Sequence, residues 1–318
     1  MKKYWKIIKI LITLGVVIFF FVYFFNHKED FNAVLSIPIS SFIILLALSG
    51  LHFFLNGLFI LVILRSFGTV ISGLKSFYIS IISSLGNYFL PMQGGALIRS
   101  VYLKKNYNFS YSHFLSTLYG NYIVIFGVTA FVATFSLILI HFRNGFFSIP
   151  LYIFFGFLLM GMLFLGTLRI RIDRVKERKS AIINRILEVL KNIMSGWNTI
   201  ISHKHLLPQL LLITTINFIL MVVIYWVEFS VFGIKKEIIN IVLYNCLSGV
   251  TLLVSITPGS LGLREAIFIL TSEILGITND QVMQLALLDR GLMVITLILS
   301  FILLSFSNYL FPEKKSND

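Results

Sequence analysis

Charged residues are scarce in this 318-residue chain, since Asp, Glu, Lys and Arg together make up only 12% of it. A soluble domain carries about 25% charged residues, so the composition excludes a soluble globular protein. Hydrophobic residues reach 58%, and apolar runs of about the 20 residues that cross a bilayer recur along the whole chain. The sequence therefore predicts an all-α polytopic membrane protein in which residues 1–318 form a single integral membrane domain.

Cysteine is almost absent, and so are the residue clusters that catalysis or metal binding requires. Cys246 is the only cysteine, which excludes an intramolecular disulfide and a cysteine-based metal cluster. The six histidines match no zinc-binding spacing, and the sequence has no P-loop, dinucleotide-binding glycine motif or Ser-His-Asp arrangement. We therefore expect no cofactor, no metal and no enzymatic activity.

Acidic residues are half as numerous as basic ones, 13 against 26, which gives a net charge of +13. A basic chain can bind nucleic acid, but here the charge lies between the apolar runs, as in the cytoplasmic loops of membrane proteins. This bias predicts a cytoplasmic N-terminus and C-terminus and no nucleic-acid partner. A basic inner surface also attracts anionic lipid head groups.

Six apolar runs are long enough to be full membrane spans, and two further segments are interrupted. A complete crossing by the first interrupted segment would put Arg99 and the most basic loop outside, against the bias of Lys and Arg toward the cytoplasm. We therefore predict two re-entrant hairpins, one from each face, as in an inverted repeat. A full crossing by either would raise the number of spans to seven or eight. The predicted spans are about 7–25, 39–64, 113–140, 149–168, 208–233 and 283–310, and the interrupted segments are about 74–104 and 238–276. The two repeat-like halves are about 39–168 and 208–310. Residues 169–207 between them form the basic cytoplasmic connector, which is predicted to be an amphipathic helix.

The second interruption, Thr257-Pro258-Gly-Ser-Leu-Gly262-Leu-Arg264-Glu265, combines a helix break with charge. Pro258 can start a helical turn, and Gly259 and Gly262 allow tight backbone geometry. The helix that follows has free N–H groups at its start, which favour a phosphate or carboxylate. Arg264 adds donors that match a phosphodiester, with Glu265 as its partner in the empty site. The alternative is a purely structural Arg–Glu pair.

The first interruption, Pro91-Met-Gln-Gly94-Gly95-Ala-Leu-Ile-Arg99, repeats the pattern with a lone arginine. Pro91, Gly94 and Gly95 are expected to give the same backbone freedom as in the second. Arg99 is either a substrate-binding cation or an ordinary topology residue beside two lysines. Asn87 and Gln93 either line a cavity or bond the freed backbone groups.

Asp289 and Arg290 lie inside the last apolar segment, where ionisable residues usually face the bundle interior. We expect Asp289 to neutralise one arginine and Arg290 to supply a second cation for the substrate. The alternative is an interfacial pair with no binding role. Glu228 and Glu273 are candidates for proton-coupled movement, but an interfacial position is the preferred interpretation of each.

The segment 257–266 resembles the Pro-Gly-Gly-x-Gly-x-Arg-Glu signature of the lysylphosphatidylglycerol synthase transmembrane-region family. The first interruption, with Leu-Pro before a glycine pair and Arg99-Ser-Val-Tyr-Leu-Lys-Lys after it, fits the family's other motif. Arg290 matches the third. The similarity covers about residues 10–310 and implies a flippase-like membrane region, as in multiple peptide resistance factors, here without an aminoacyl-transferase domain.

The chain departs from the family at several positions that are usually charged. Ala96 stands where the family commonly has Glu, Gly120 and Asn121 where it usually has a Glu-Arg pair, and Val124 where an Asp follows. About half of the usual charged set is missing. Either the substrate differs, for example with an uncharged sugar portion, or transport is weaker or absent.

The resemblance and the buried arginines together favour a bacterial inner-membrane lipid translocase. Its substrate is expected to be an anionic phospholipid or lipid-linked glycan, with Arg264, Arg290 and Arg99 on the head group between the two broken helices. One alternative is a non-transporting partner or regulator of an envelope lipid- or glycan-modifying enzyme. A membrane-embedded aminoacyl- or glycosyl-transferase is least favoured, because the sequence has no soluble donor-binding domain.

Overall fold

A computed structural model describes residues 34–167, 184, 187–188, 191, 197–198, 200–254 and 256–310, with backbone only for 306–310. The predicted span 7–25 and most of the connector 169–207 therefore lie outside the described residues. The elements are helices α1 Ile39–Ser66, α2 Gly73–Phe89, α3 Gly94–Tyr107, α4 Tyr111–Asn144, α5 Ile149–Thr167, α6 Leu206–Val231, α7 Ile238–Val250, α8 Leu263–Leu270, α9 Ser272–Leu275 and α10 Asn279–Leu310, with 3-10 turns at Thr251–Val254 and Pro258–Ser260.

Five of these helices, α1, α4, α5, α6 and α10, are long and apolar enough to cross a bilayer. They confirm a polytopic α-helical membrane protein and correspond to five of the six predicted spans. Many large apolar side chains point outward, among them Phe157, which is 81% exposed, and Leu303, which is 70% exposed. A soluble protein would bury such residues, whereas a membrane protein presents them to lipid tails.

The first interrupted segment is a helical hairpin, which we call the first hairpin (α2 and α3). Tyr78 contacts Tyr102 at one end, and Gly86 lies against Gly95 near the tip, so the two helices run antiparallel. At 17 and 14 residues, each is shorter than the roughly 20 residues that a crossing needs. The segment therefore returns to the face from which it enters.

The second interrupted segment, which we call the second hairpin, runs from α7 through the two 3-10 turns to α8 and α9. The Tyr244 ring stacks on Phe268 with centroids 3.9 Å apart. Nearer the open end, Asn240 Nδ2 donates to the Ile274 carbonyl at 3.1 Å. These contacts again join residues in reverse order, so α8 and α9 return alongside α7.

The two hairpins open at opposite faces of the molecule. Leu45 and Ile224 share one apolar cluster and Ile60 and Leu210 another, so α1 and α6 are antiparallel. The first hairpin begins where α1 ends, and the second begins where α6 ends. The order span, hairpin, span thus occurs twice, with the hairpins opening at opposite faces, and this order is the one that the predicted inverted repeat requires.

Candidate functional site

The tips of the hairpins meet inside the bundle. The Met92 N–H donates to the Ile256 carbonyl at 3.3 Å, and Gln93 Nε2 donates to the Leu252 carbonyl at 2.6 Å. The Gln93 side-chain oxygen also accepts a hydrogen bond from the Tyr122 hydroxyl of α4. Gln93 therefore bonds the freed backbone of the opposite hairpin, while its neighbour in the same hairpin, Asn87, accepts from the Gly95 N–H at 2.9 Å.

Both interruptions use the same backbone pattern, a proline followed by two residues in the left-handed region. Met92 and Gln93 follow Pro91 with φ values of 55° and 53°, and Gly259 and Ser260 follow Pro258 with φ values of 57° and 53°. Three of these four residues carry a Cβ, for which this region is unfavourable and is tolerated mainly where function or packing requires it.

The glycine pair of the first interruption has a different role from the one predicted. Gly94 and Gly95 are not at the turn but in the first turn of α3, where both are buried. A Cβ on Gly95 would lie 1.7 Å from the Ser83 carbonyl oxygen, and one on Gly94 would lie 2.4 Å from Leu90 Cβ. These glycines therefore permit close packing of α3 on α2, and the expected backbone freedom belongs to Met92 and Gln93. Pro258, Gly259 and Gly262 do form the tight turns expected of them, with positive φ at both glycines.

The second interruption is joined to α10 by two ion pairs. Arg264 pairs with Asp289, and Arg290 pairs with Glu265, Nη2 to Oε1, at 2.7 Å. Because an Arg-Glu sequence faces an Asp-Arg sequence, each cation meets an anion. The expectation that Asp289 neutralises one arginine is confirmed. The expectation that Glu265 is the partner of Arg264 is wrong, since Glu265 forms its ion pair with Arg290.

Arg264 is only 8% exposed and is held on several sides. Its Nη2 donates to the Tyr225 hydroxyl at 3.0 Å, and its guanidinium lies 5.4 Å from the centre of the Phe268 ring. The Tyr225 hydroxyl in turn contacts Ser248 Oγ at 3.0 Å. Aromatic faces and a carboxylate partner make a buried guanidinium tolerable.

Arg290 and Glu265 hold the second interruption itself. Arg290 Nη1 and Nη2 donate to the carbonyls of Gly259 and Ser260 at 3.0 and 3.3 Å. The Glu265 carboxylate accepts from the Gly262 N–H at 2.9 Å, so an internal anion already lies at the start of α8. Both side chains therefore bond the backbone that the break sets free, and a substrate anion at this helix start would meet a carboxylate.

A cavity of about 410 Å³ lies between the hairpin tips, α1, α4 and α6. Among the described residues, the charged ones on its wall are Arg99, Arg264 and Asp289. The rest of the polar wall consists of amides, hydroxyls and one imidazole: Asn56, Asn87, Asn121, Asn217, Asn245, Gln93, Ser80, Ser83, Ser84, Ser248, Ser260, Thr129, Thr214, Thr251, Tyr88, Tyr122, Tyr225 and His52. A volume of this size is typical of a ligand site.

Arg99 is the cation on the cavity wall that has no anionic partner among the described residues. It turns away from the exposed Lys104 and Lys105 toward the interior, where its guanidinium lies 5.2 Å from the centre of the Phe114 ring. Its Nε is buried and has no hydrogen-bond partner. Of the two interpretations of Arg99, the position favours a binding cation over a topology residue.

Some residues of this site carried no sequence signal of their own. Asn217 and Thr214 are ordinary polar residues in an apolar helix, and only the packing of α6 brings them to the cavity. Asn121 of α4, which also lines the cavity, was marked in the sequence only as a departure from the family. Glu228 is fully buried, and neither of its carboxylate oxygens has a hydrogen-bond partner among the described residues. Glu273 is exposed.

Comparison with known proteins gives one family. The family model described as "Lysylphosphatidylglycerol synthase TM region" matches residues 6–300. No curated protein and no solved structure matches the chain significantly.

Proposed function

Because the chain belongs to the lysylphosphatidylglycerol synthase TM region family, whose function concerns membrane lipids, we propose that it moves an anionic lipid across the bacterial inner membrane. The observation that carries this proposal is the cavity lined by many polar side chains at the meeting point of two opposed hairpins, with Arg99 on its wall and no ion pair to Arg99 among the described residues. A half-buried cation without an ion-pair partner is costly, and an incoming phosphate would supply the missing charge.

The site residues divide into two groups in this proposal. Arg99 binds the phosphate directly, and Arg264, which Asp289 keeps oriented, contributes hydrogen-bond donors from the second hairpin. Arg290 and Glu265 do not touch the cavity. They fix the turn around Pro258, Gly259 and Gly262 and so position Arg264. In the same way, Pro91, Gly94 and Gly95 shape the first hairpin and position Arg99.

Movement follows from the opposite orientation of the hairpins. The tip contacts from Met92 and Gln93 to the second hairpin are few and polar, so they can exchange when one half rocks against the other. The polar cavity wall then faces each side of the membrane in turn, while the acyl chains stay in lipid. With cytoplasmic termini, the first hairpin opens inward, where Arg65, Lys75 and Lys105 lie.

We expect Arg99→Gln to slow the movement of a labelled anionic phospholipid in proteoliposomes at least about tenfold, the loss that follows from removing one charged hydrogen-bonding group worth about 1.5–3 kcal/mol. Lys105→Gln is the matched control, because it removes the same charge from an exposed position of the same helix. Equal rates for wild type and Arg99→Gln would contradict the proposal, provided that both proteins elute as folded monodisperse species.

A further inference from the structure

The charges on the cavity wall indicate which class of lipid head group the cavity accepts. This inference rests on the lipid-binding function proposed above. Arg264 and Asp289 neutralise each other, and no other carboxylate lines the cavity in the part of the chain that the structure describes. Arg99 remains, with no ion pair among the same residues. The described wall therefore carries one net positive charge, which matches a single negative charge on the ligand.

His52 adds no further positive charge to the wall, because its hydrogen-bond partners require a neutral imidazole. Its Nδ1 lies 2.8 Å from Asn217 Oδ1, an acceptor, and its Nε2 lies 3.1 Å from Asn56 Nδ2, a donor. Asn217 Nδ2 closes the ring by donating to Asn56 Oδ1 at 3.1 Å. This triangle requires a neutral imidazole that donates from Nδ1 and accepts at Nε2.

Other polar groups on the wall have no hydrogen-bond partner among the described residues. Thr214 Oγ1 is buried and bonds none of them, and neither does the Asn121 amide, which shares a small recess with Arg99. Buried polar groups normally find partners, and amides and hydroxyls both donate and accept. Uncharged hydroxyl groups of a ligand, which also donate and accept, are the chemistry that satisfies them.

An ammonium group, by contrast, has no place on this wall. It would need a free carboxylate on the wall, but Asp289 is paired with Arg264, and Glu265 is paired with Arg290 outside the cavity. Glu228, whose carboxylate makes no ion pair with the described residues, does not line the cavity. Next to Arg99 an ammonium group would meet a like charge in a site of low dielectric, where repulsion is strong. A lipid with an aminoacyl or ethanolamine head group is therefore disfavoured.

We propose that the cavity selects a phosphodiester lipid whose head group is an uncharged polyol, with the phosphate on Arg99 and the hydroxyls on the amide and hydroxyl groups around Asn121 and Thr214. Glycerol and a cyclic sugar-like polyol share this chemistry. Selectivity of this kind arises because the wrong head group leaves buried polar groups unpaired and brings like charges together.

A binding experiment tests this selectivity without requiring transport. Short-chain lipids are added to the purified protein in detergent, and binding is measured as an increase in thermal stability. We expect phosphatidylglycerol or phosphatidylinositol to bind at least about tenfold more tightly than phosphatidylethanolamine or lysylphosphatidylglycerol, as for a lost charge-assisted contact. The first two lipids separate a glycerol from a cyclic polyol head group. Equal affinity for all four, or a preference for either amine-containing lipid, would overturn the proposal.

Asn121→Asp provides a second arm, since it places a carboxylate in the recess beside Arg99 with almost no change of size. We expect it to weaken phosphatidylglycerol binding about tenfold and to strengthen lysylphosphatidylglycerol binding. If this variant does not fold, the comparison of head groups on the wild-type protein decides alone. Selective binding without lipid movement would refute the translocase function and support the head-group assignment. Lipid movement without selective binding would support the translocase function and refute the head-group assignment.

Discussion

Asp289→Asn is expected to lower the free energy of unfolding by about 3–5 kcal/mol, the usual cost of breaking a buried ion pair by removing one partner. The Asp289 side chain is 1% exposed and that of Arg264 is 10% exposed, so the remaining guanidinium would be left inside the bundle without a counter-charge. An unfolding titration in mixed micelles measures the loss.

Glu228→Gln is the matched control, because Glu228 is also a buried acid but makes no ion pair or hydrogen bond with the described residues. The same change from acid to amide should therefore cost much less, within about 1 kcal/mol of wild type. Comparable losses in both variants would show that burial of an acid, and not its pairing with Arg264, determines the effect.

A double variant separates stability from binding at this pair. Arg264→Met combined with Asp289→Leu removes both charges and leaves apolar groups, so it should recover most of the stability that Asp289→Asn loses. If the recovered protein still fails to move lipid, Arg264 acts on the substrate and not only on the fold.

Gly95→Ala is the second change for which we expect a large effect, a loss of about 3 kcal/mol or more from overpacking. A Cβ at this position would lie 1.7 Å from the Ser83 carbonyl oxygen and 2.6 Å from Asn87 Oδ1. The Ser83 carbonyl belongs to the backbone of α2 and cannot rotate out of the way as a side chain can. Helix α3 would therefore have to move away from α2, and Arg99 on α3 would be displaced. Lipid movement should fall together with stability, measured in the same proteoliposome and unfolding assays.

Gly156→Ala in α5 is the control for the helix itself. A Cβ there meets nothing within 4 Å, so the variant should be as stable as wild type or more stable by about 0.5–1 kcal/mol, because alanine is the better helix former. If Gly95→Ala were equally well tolerated, the close approach of α2 and α3 would not be essential to the fold.

The backbone geometry and the ion pairs of the two interruptions differ from the predictions, because both depend on tertiary contacts. The φ values of Met92 and Gln93 were missed because glycine is the usual marker of left-handed backbone, and here tertiary contacts hold two other residues there. The partner of Arg264 was assigned to the adjacent Glu265 because neighbours in sequence are easily paired. On α8, consecutive side chains point in different directions, and each reaches a different residue of α10.

The membrane class, the five described spans, the two interruptions and the family can all be read from the sequence, because hydropathy, Pro, Gly and Arg are properties of local segments. Which charges neutralise each other, and which cation has no partner among the described residues, depends on how the helices pack. Arg99, Arg264 and Arg290 are alike as sequence, yet Asp289 pairs with Arg264 and Glu265 with Arg290, whereas Arg99 has no ion pair among the described residues. Electrostatic pairing acts through space between segments far apart in the chain, so only their packing can settle it.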